Sequence, residues 1–158
     1  MRSKVYKSGL YGASDHIAQG RINWATPDGR RTGEPIADAI SPAQGRDKNG
    51  PISVFRSSVC FDHHDFLGGI ALNLRMHPSV ISRDDGAAKL RDVTKAYFSG
   101  GGMEVQYNIV DTETLRAAQR EPEKYRDLVV RIAGYSAYFI ELGKALQDDI
   151  IARNENRL

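Results

Sequence analysis

The most regular alternation of apolar and polar residues in this chain lies between residues 70 and 77. Large apolar side chains occupy every second position there: Ile70, Leu72, Leu74 and Met76. Because neighbouring side chains on a strand point to opposite faces, this period of two predicts a β-strand. Pro78 ends it, since proline cannot donate to a sheet ladder. An earlier strand is predicted over residues 52–59.

Further along the chain the apolar spacing lengthens to three or four residues, which indicates a helix over residues 86–98. One face of that helix would carry Leu90, Val93, Thr94 and Tyr97. The helix is expected to stop at the three glycines of residues 100–102, because glycine commonly follows the last helical turn. A phosphate-binding loop would need these glycines before a helix, so we do not predict one.

The remaining third of the chain predicts two more strands and two more helices. A strand over 103–110 is followed by a short helix, which Asp111 or Thr112 caps and Pro122 closes. A strand over 125–133 then leads through a turn at Gly134 into a long amphipathic segment over 137–153, which is predicted to be the terminal helix. Alternating strands and helices of this kind place the chain in the α/β class.

Residues 1–51 differ from the rest, since they are rich in Gly, Pro, Asp and Ser and show little periodicity. Residues 26–29, Thr-Pro-Asp-Gly, predict a turn. A lead-in this long is unusual for a compact domain and suggests a segment that lies against something larger. We therefore divide the chain into a loop-rich lead-in, 1–51, and a second domain, 52–158.

Composition excludes several classes of protein. Of the 158 residues, 41% are hydrophobic and 27% charged, with a net charge of +2, so we expect a globular protein without a nucleic-acid-binding surface. No apolar run approaches the roughly eighteen residues of a membrane span, and the N-terminus lacks the apolar core of a secretory signal. The single cysteine fits a reducing compartment, so the cytoplasm is the expected location.

A glycine in a turn is usually only a structural residue, but the run Arg-Ile-Ala-Gly-Tyr-Ser-Ala of residues 131–137 makes Gly134 a candidate for chemistry. A glycine that loses one α-hydrogen gives a backbone radical, which the flanking amide nitrogen and carbonyl delocalise. The centre flattens without a clash because glycine has no Cβ. Such a residue would have to be shielded from oxygen and still able to reach an activating protein.

This run resembles the signature of the glycyl radical enzymes, R-[VI]-[AS]-G-[YF]-S-A. Residues 25–42 and 101–125 resemble two upstream blocks of the same family, in the same order, so the resemblance extends over about residues 20–153. It is to the pyruvate formate-lyase-like family in general, and Gly33-Glu34-Pro35 and residues 146–153 look closest to its dehydratase, lyase and decarboxylase branches.

The resemblance implies that Gly134 stores the radical as a protein-derived cofactor, with no cofactor bound permanently. Its partner would be an activating enzyme that uses S-adenosylmethionine and an iron–sulfur cluster. Arg131, Tyr135 and Ser136 would support the loop, although ordinary turn and strand residues also fit these positions. The implied fold is the C-terminal portion of an α/β barrel, with the radical loop between a strand and the terminal helix.

In this family a cysteine in another loop takes up the radical as a thiyl and attacks the substrate. No cysteine here has the expected glycine and proline neighbours, so the chain resembles a C-terminal fragment of a lyase, dehydratase, decarboxylase or formate acetyltransferase-like enzyme. The alternative is an autonomous cofactor protein that docks on an oxygen-damaged partner enzyme and repairs it. The substrate and oligomeric state cannot be read from the sequence.

The short cluster around Cys60 is the remaining candidate for chemistry. Cys60 is predicted to be a small buried thiol. His63, His64 and Asp65 lack the spacing of a zinc site, so no metal is expected, and an acid–base role for one histidine stays open. Ser136 lacks the G-x-S-x-G elbow of a hydrolase.

Overall fold

The structure is a computed structural model that describes residues 6–12, 14–132 and 134–153. Its α-helices within these ranges are α1 (Asp15–Ile22), α2 (Gly50–Ser58), α3 (Ser79–Ser82), α4 (Gly86–Ser99), α5 (Thr112–Arg120) and α6 (Lys144–Ala152). The strands are β1 (Leu72–Met76), β2 (Val105–Ile109), β3 (Val129–Arg131) and β4 (Ser136–Tyr138). Short 3₁₀ turns lie at His63–Asp65, Pro122–Tyr125 and Phe139–Glu141. The chain is therefore a small α/β structure, as predicted.

The strands β1 and β2 form a parallel pair, in which Leu72 lies opposite Val105 and Met76 opposite Ile109. Parallel strands need a crossover, which α3 and α4 provide. All five residues of β1 are buried, including Asn73 and Arg75. The predicted strand is confirmed, but its polar positions face other parts of the protein rather than solvent.

The predicted helices in the middle of the chain are also confirmed. The helix α4 ends at Gly100, whose N–H donates to the carbonyl of Ala96 at 2.9 Å. The carboxylate of Asp111 accepts from the backbone N–H of Thr114 at 2.7 Å and so caps α5. Both ends follow the local chemistry that the sequence indicated.

The strand predicted over 52–59 is wrong, because these residues lie mostly in helix α2. Its buried residues are Pro51, Val54, Phe55 and Ser58, a helical spacing of three and four. Pro51 lies in the first turn, where a missing N–H costs nothing. Burial against the sheet therefore favours the helix over the short apolar alternation.

The strand predicted over 125–133 is confirmed in part as β3, and the turn at Gly134 is confirmed, but the long helix predicted over 137–153 is wrong at its start. The strand β3 turns back as β4, and the two pair antiparallel in the register Val129 with Tyr138 and Arg131 with Ser136. The terminal helix α6 begins after Gly143 rather than at Ala137. The start of the predicted amphipathic segment pairs with β3 as strand β4, and the helix forms only after it.

The core consists of two apolar clusters. One surrounds the hairpin and contains Val110, Leu115, Ala118, Val130, Ile132, Phe139 and Ile150. The other lies between the sheet and α2 and α4 and contains Val54, Phe55, Leu72, Leu74 and Tyr97. Burying these side chains provides the main driving force for the arrangement.

The lead-in contacts the end of the chain through a group of acidic and basic side chains, which we call the polar cluster: His16, Asp38, Asp149 and Arg153, of which the first three are buried. Asp149 accepts from His16 Nε2 at 3.1 Å, and Arg153 donates to Asp38 at 2.9 Å. The turn over 26–29 is confirmed, since Gly29 N donates to the Thr26 carbonyl at 3.0 Å. Helix α1 was not predicted, and the division at residue 51 stays a prediction.

Candidate functional site

Gly134 lies at the tip of the β3–β4 hairpin. Ile132 N donates to the Tyr135 carbonyl at 2.9 Å, so the two strands stay paired up to the turn that contains Gly134. Ala133, a position of the family signature, lies outside the described residues. The hairpin forms because side chains alternate along it, with Val130 and Ile132 buried while Val129 is exposed.

The backbone of Gly134 adopts φ +82°, a conformation that L-residues with a side chain rarely take. A Cβ built at this position would meet no atom of the described residues within 4 Å. Backbone conformation, rather than lack of space, therefore favours glycine here. Gly134 is exposed in this chain, so the shielding from oxygen that we expected is not provided by the described residues.

One side chain of β2 contacts the loop directly. The side-chain oxygen Oε1 of Gln106 accepts from the N–H of Gly134 at 3.0 Å. The same oxygen accepts from Nε of Arg131, also at 3.0 Å. Gln106 thus joins β2 to the tip of the hairpin and to the strand before it.

A second amide on β2 holds the strand rather than the tip. Asn108 Oδ1 accepts from the backbone N–H of Arg131 at 2.6 Å, and its Nδ2 donates to the Arg131 carbonyl. This side chain therefore supplies both hydrogen bonds that a neighbouring strand would have given to Arg131. Gln106 and Asn108 are two residues apart, so they point to the same face of β2.

The strand that carries these two amides is itself well anchored. The hydroxyl of Tyr97 donates to the Glu104 carbonyl at 3.1 Å, just before β2 begins. Burial raises the pKa of Tyr97 to about 12, so the phenol stays protonated and keeps this bond at neutral pH. The hydroxyls of Thr94 and Tyr107 lie 2.7 Å apart and join β2 to α4 as well.

The structure brings the four predicted site residues into one hairpin. Arg131 pairs with Ser136 across the strands, and its guanidinium lies 3.4 Å from the Ser136 hydroxyl oxygen. The carbonyl of Tyr135 closes the turn, while its side chain is 43% exposed. Arg131 and Ser136 thus contact each other beside Gly134, and Tyr135 contributes through its backbone.

The sequence did not predict the contacts that Gln106 and Asn108 make with the hairpin. Both lie in the block over 101–125 that carries part of the resemblance, where they were counted as members of a strand. The available signal was two amide side chains at alternate positions of an otherwise apolar strand. Such groups need hydrogen-bond partners when they are buried, but the sequence does not say which segment supplies them.

The prediction that Cys60 is buried is wrong. Cys60 is exposed, and its thiol donates to the Arg56 carbonyl at 3.2 Å beyond the end of α2. It became exposed because residues 52–59 form a helix and the chain turns outward after it. Of the two adjacent histidines, His63 is buried and bonded to the Ser58 carbonyl at 2.7 Å, whereas His64 is exposed. No metal-binding group of three acidic, histidine or cysteine residues occurs in the described ranges.

A cavity of about 270 Å³ lies beside the polar cluster and not at the hairpin. Its lining includes both acids and bases, among them Asp38, Asp149, Arg75 and Arg153. Burial alone would raise the pKa of Asp149, but the hydrogen bond from His16 and the charge of Arg153 outweigh it and lower the pKa. Asp149 therefore stays ionised, and its bond with His16 joins α6 to the lead-in.

Comparison with known proteins connects the hairpin to a family. A family model described as glycine radical matches residues 36–140, a range that includes β2 and the hairpin. This chain belongs to that glycyl radical family. The resemblance seen in the sequence is confirmed, and the family's cofactor is a radical that the protein holds on one of its own glycines.

The relatives include decarboxylases and a dehydratase. The chain is 48% identical over 143 residues to the indoleacetate decarboxylase of Tractidigestivibacter scatoligenes, covering 90% of this chain and 16% of that protein. It is 44% identical over 143 residues to the 4-hydroxyphenylacetate decarboxylase glycyl radical subunit of Clostridioides difficile, with the same two coverages of 90% and 16%.

A solved structure shows the same fold. The chain superposes on the glycerol-bound form of the B12-independent glycerol dehydratase from Clostridium butyricum with a TM-score of 0.93 and 44% identity, covering 96% of this chain and 19% of that one. This glycyl radical domain thus spans less than a fifth of its relatives' length. The predicted kinship with the dehydratase and decarboxylase branches is confirmed. None of the helices described for the domain has the length and apolar character of a membrane span.

Proposed function

We propose that Gly134 is the residue that stores the radical and that this domain supplies it to an anaerobic lyase, dehydratase or decarboxylase. The observation that carries the proposal is the position of Gly134 in the hairpin, exposed at φ +82° with its N–H held by Gln106. Loss of a hydrogen atom from its Cα breaks one C–H bond and leaves the unpaired electron between an amide nitrogen and a carbonyl.

An activating enzyme with an iron–sulfur cluster and S-adenosylmethionine is the proposed acceptor of that hydrogen atom. It has to reach the Cα of Gly134, and the exposed position of Gly134 at the tip of the hairpin offers that access. Arg131, Tyr135 and Ser136 keep their proposed role as supports of the loop.

In the proposed reaction the stored radical is passed on by hydrogen-atom transfer. A cysteine S–H elsewhere in the enzyme gives its hydrogen atom to the Cα of Gly134, which regenerates the glycine and leaves a thiyl radical. The thiyl then removes a hydrogen atom from the substrate. We propose that the rest of an α/β barrel provides that cysteine, that this chain is its C-terminal part, and that the assembly works in the cytoplasm.

Exposed apolar side chains around the loop support a large partner at this surface. Val129, Tyr135 and Tyr138 are all exposed on the hairpin that carries Gly134, and exposed apolar surface of this kind usually marks an interaction site. The rest of the enzyme would cover it and exclude oxygen. The same patch suits the alternative function, in which the chain docks on a partner whose own glycine loop has been cleaved.

Electron paramagnetic resonance of the activated protein tests the proposal. After anaerobic incubation with the activating enzyme and S-adenosylmethionine, the signal should be a doublet, because the electron couples to the one α-hydrogen that remains. Incorporating α-deuterated glycine should collapse the doublet. Gly134→Ala should lack the signal, and the matched variant Gly143→Ala should keep it.

Exposure to air gives a second readout that does not depend on a substitution. Oxygen cleaves the backbone at a glycyl radical, so mass spectrometry should find the chain cut at residue 134. A doublet that survives in Gly134→Ala, or a cut at another glycine, would contradict the assignment. Restored activity after adding the chain to an air-cleaved enzyme would favour the repair function over the fragment.

A further inference from the structure

We propose that Gln106 is a positioning residue that latches the Gly134 loop onto β2. The inference rests on the proposed function for its importance, since it concerns how the radical-bearing loop is held. It depends on three features of the contacts around one amide: a shared acceptor oxygen, a fixed orientation, and a division of roles with Asn108.

The first feature is that one oxygen accepts from both the tip and the strand before it. Gln106 is 8% exposed, and its Oε1 lies 3.0 Å from both Gly134 N and Arg131 Nε. The bond from Arg131 comes from a charged group, and such bonds are stronger than those between neutral groups. Arg131 thus fixes the oxygen that Gly134 uses.

The second feature fixes which end of the amide faces the loop. Gln106 Nε2 donates to the carboxylate of Glu104 at 2.5 Å. An ionised carboxylate only accepts hydrogen bonds, so the NH₂ group of Gln106 must point toward it. The oxygen is then directed at the two donors of the hairpin, and rotating the amide by half a turn would lose all three contacts.

The third feature is that Gln106 and Asn108 hold different parts of the hairpin. Asn108 binds the backbone of Arg131 through both its oxygen and its nitrogen. It therefore holds β3, while Gln106 holds the tip. Loss of the Gln106 contact should free Gly134 and leave the pairing of β3 with β4 in place.

Hydrogen exchange at single amides of the 158-residue chain tests this separation without any radical chemistry. Gln106→Met removes the acceptor and keeps the length of the side chain. We expect the amide of Gly134 to exchange about tenfold faster, as loss of one hydrogen bond of this type predicts. The amide of Phe139, which donates to the Leu128 carbonyl at 2.8 Å, should keep its rate and reports on the strands.

Two further variants complete the test. Gln19→Met replaces an exposed amide on α1 and should change neither exchange rate. The double variant Glu104→Gln with Gln106→Glu exchanges donor and acceptor, so a carboxylate at 106 again accepts from Gly134 and Arg131. Its Gly134 amide should exchange no faster than in the unchanged protein.

The proposal is overturned if Gln106→Met leaves the Gly134 rate unchanged, or if it speeds Gly134 and Phe139 equally, which would mean a general structural role. It is also overturned if the double variant exchanges as fast as Gln106→Met. These outcomes differ from failure of the proposed function, which the spin signal of Gly134→Ala decides. If Gln106 holds the loop but Gly134 stores no radical, the Gly134 amide should exchange slowly and the activated protein should show no doublet.

Discussion

The tip of the β3–β4 hairpin and the polar cluster at α6 are both held by side-chain hydrogen bonds, but their surroundings differ. Gly134, Tyr135 and Ser136 at the tip are exposed, whereas His16 and Asp149 in the cluster are 5% and 6% exposed. A hydrogen bond that water can replace contributes little, while a buried group that loses its partner is costly. The tip is therefore the part that can detach while the cluster stays intact.

A substitution at the base of the hairpin should have the largest effect on the free energy of unfolding, because the base belongs to the core. Phe139 is 0% exposed and directly follows β4. Phe139→Ala leaves a cavity and should lower the free energy of unfolding by about 4 kcal/mol. Chemical denaturation measures this change. Phe98→Ala, at a side chain that is 46% exposed, is the control and should change stability by about 0.5 kcal/mol or less.

A substitution in the polar cluster should have the next largest effect on the free energy of unfolding. Asp149→Asn removes a buried charge that faces His16 and Arg153, and should lower the free energy of unfolding by about 3 kcal/mol. The neighbouring exposed Asp148, paired with Lys144, gives the control Asp148→Asn, whose denaturation midpoint should hardly move. Equal losses of stability in both variants would show that the buried pairs of Asp149 contribute no more than the exposed pair of Asp148.

The cluster also predicts how stability depends on pH. The pKa of Asp149 is lowered in the folded protein, so the folded state binds fewer protons than the unfolded state in the acid range. The contribution of Asp149 is complete above the unfolded value, about 4, and is lost as the pH falls through the folded pKa. Denaturation between pH 6 and pH 2 should therefore show a steeper loss in the unchanged protein than in Asp149→Asn. Parallel curves would contradict this assignment.

Asn108 tests how firmly the strand next to the tip is held. Asn108→Ala leaves the partly buried N–H and carbonyl of Arg131 without these partners and should cost about 2 kcal/mol. The exposed Asn23, which donates to the Gln19 carbonyl at 2.8 Å, provides the control Asn23→Ala. A loss at position 108 no larger than at position 23 would mean that β3 is held by the core alone.

The tip itself should show the smallest effect on stability. Gly134→Ala places a side chain at φ +82° and should cost about 1 kcal/mol, because that conformation is strained for alanine. Gly143→Ala is a matched control, since φ is −59° there and a Cβ would likewise meet no described atom within 4 Å. The smaller entropy of the unfolded chain favours alanine there, whereas the N-cap position of α6 favours glycine, so stability should change by less than about 0.5 kcal/mol. A loss of several kcal/mol in Gly134→Ala would contradict the picture of a detachable tip.

Local sequence signals predicted the elements that depend on local chemistry. The alternation over 70–76 predicts β1, the glycines after Ser99 end α4, and Asp111 caps α5. These features arise within a few residues, so a pattern of a few residues contains them. The family signature likewise identified Gly134 and its neighbours as one segment.

Other features depend on what each segment contacts. Apolar and polar residues alternate only weakly over 52–59, and packing of Val54 and Phe55 against the sheet favours a helix there. Cys60 is exposed as a consequence of that helix. Ala137 and Tyr138 have good helical spacing with later residues, but pairing with β3 makes them a strand.

The sequence by itself determined the class of the protein and its family, and it made Gly134 the candidate for the radical, because these follow from residue type and order. Only the tertiary structure decided that the glycine lies in a hairpin and that Gln106, 28 positions away, contacts its amide. The physical reason is that a buried amide must find a partner, and the folded arrangement of β2 and β3 selects which donor lies within reach.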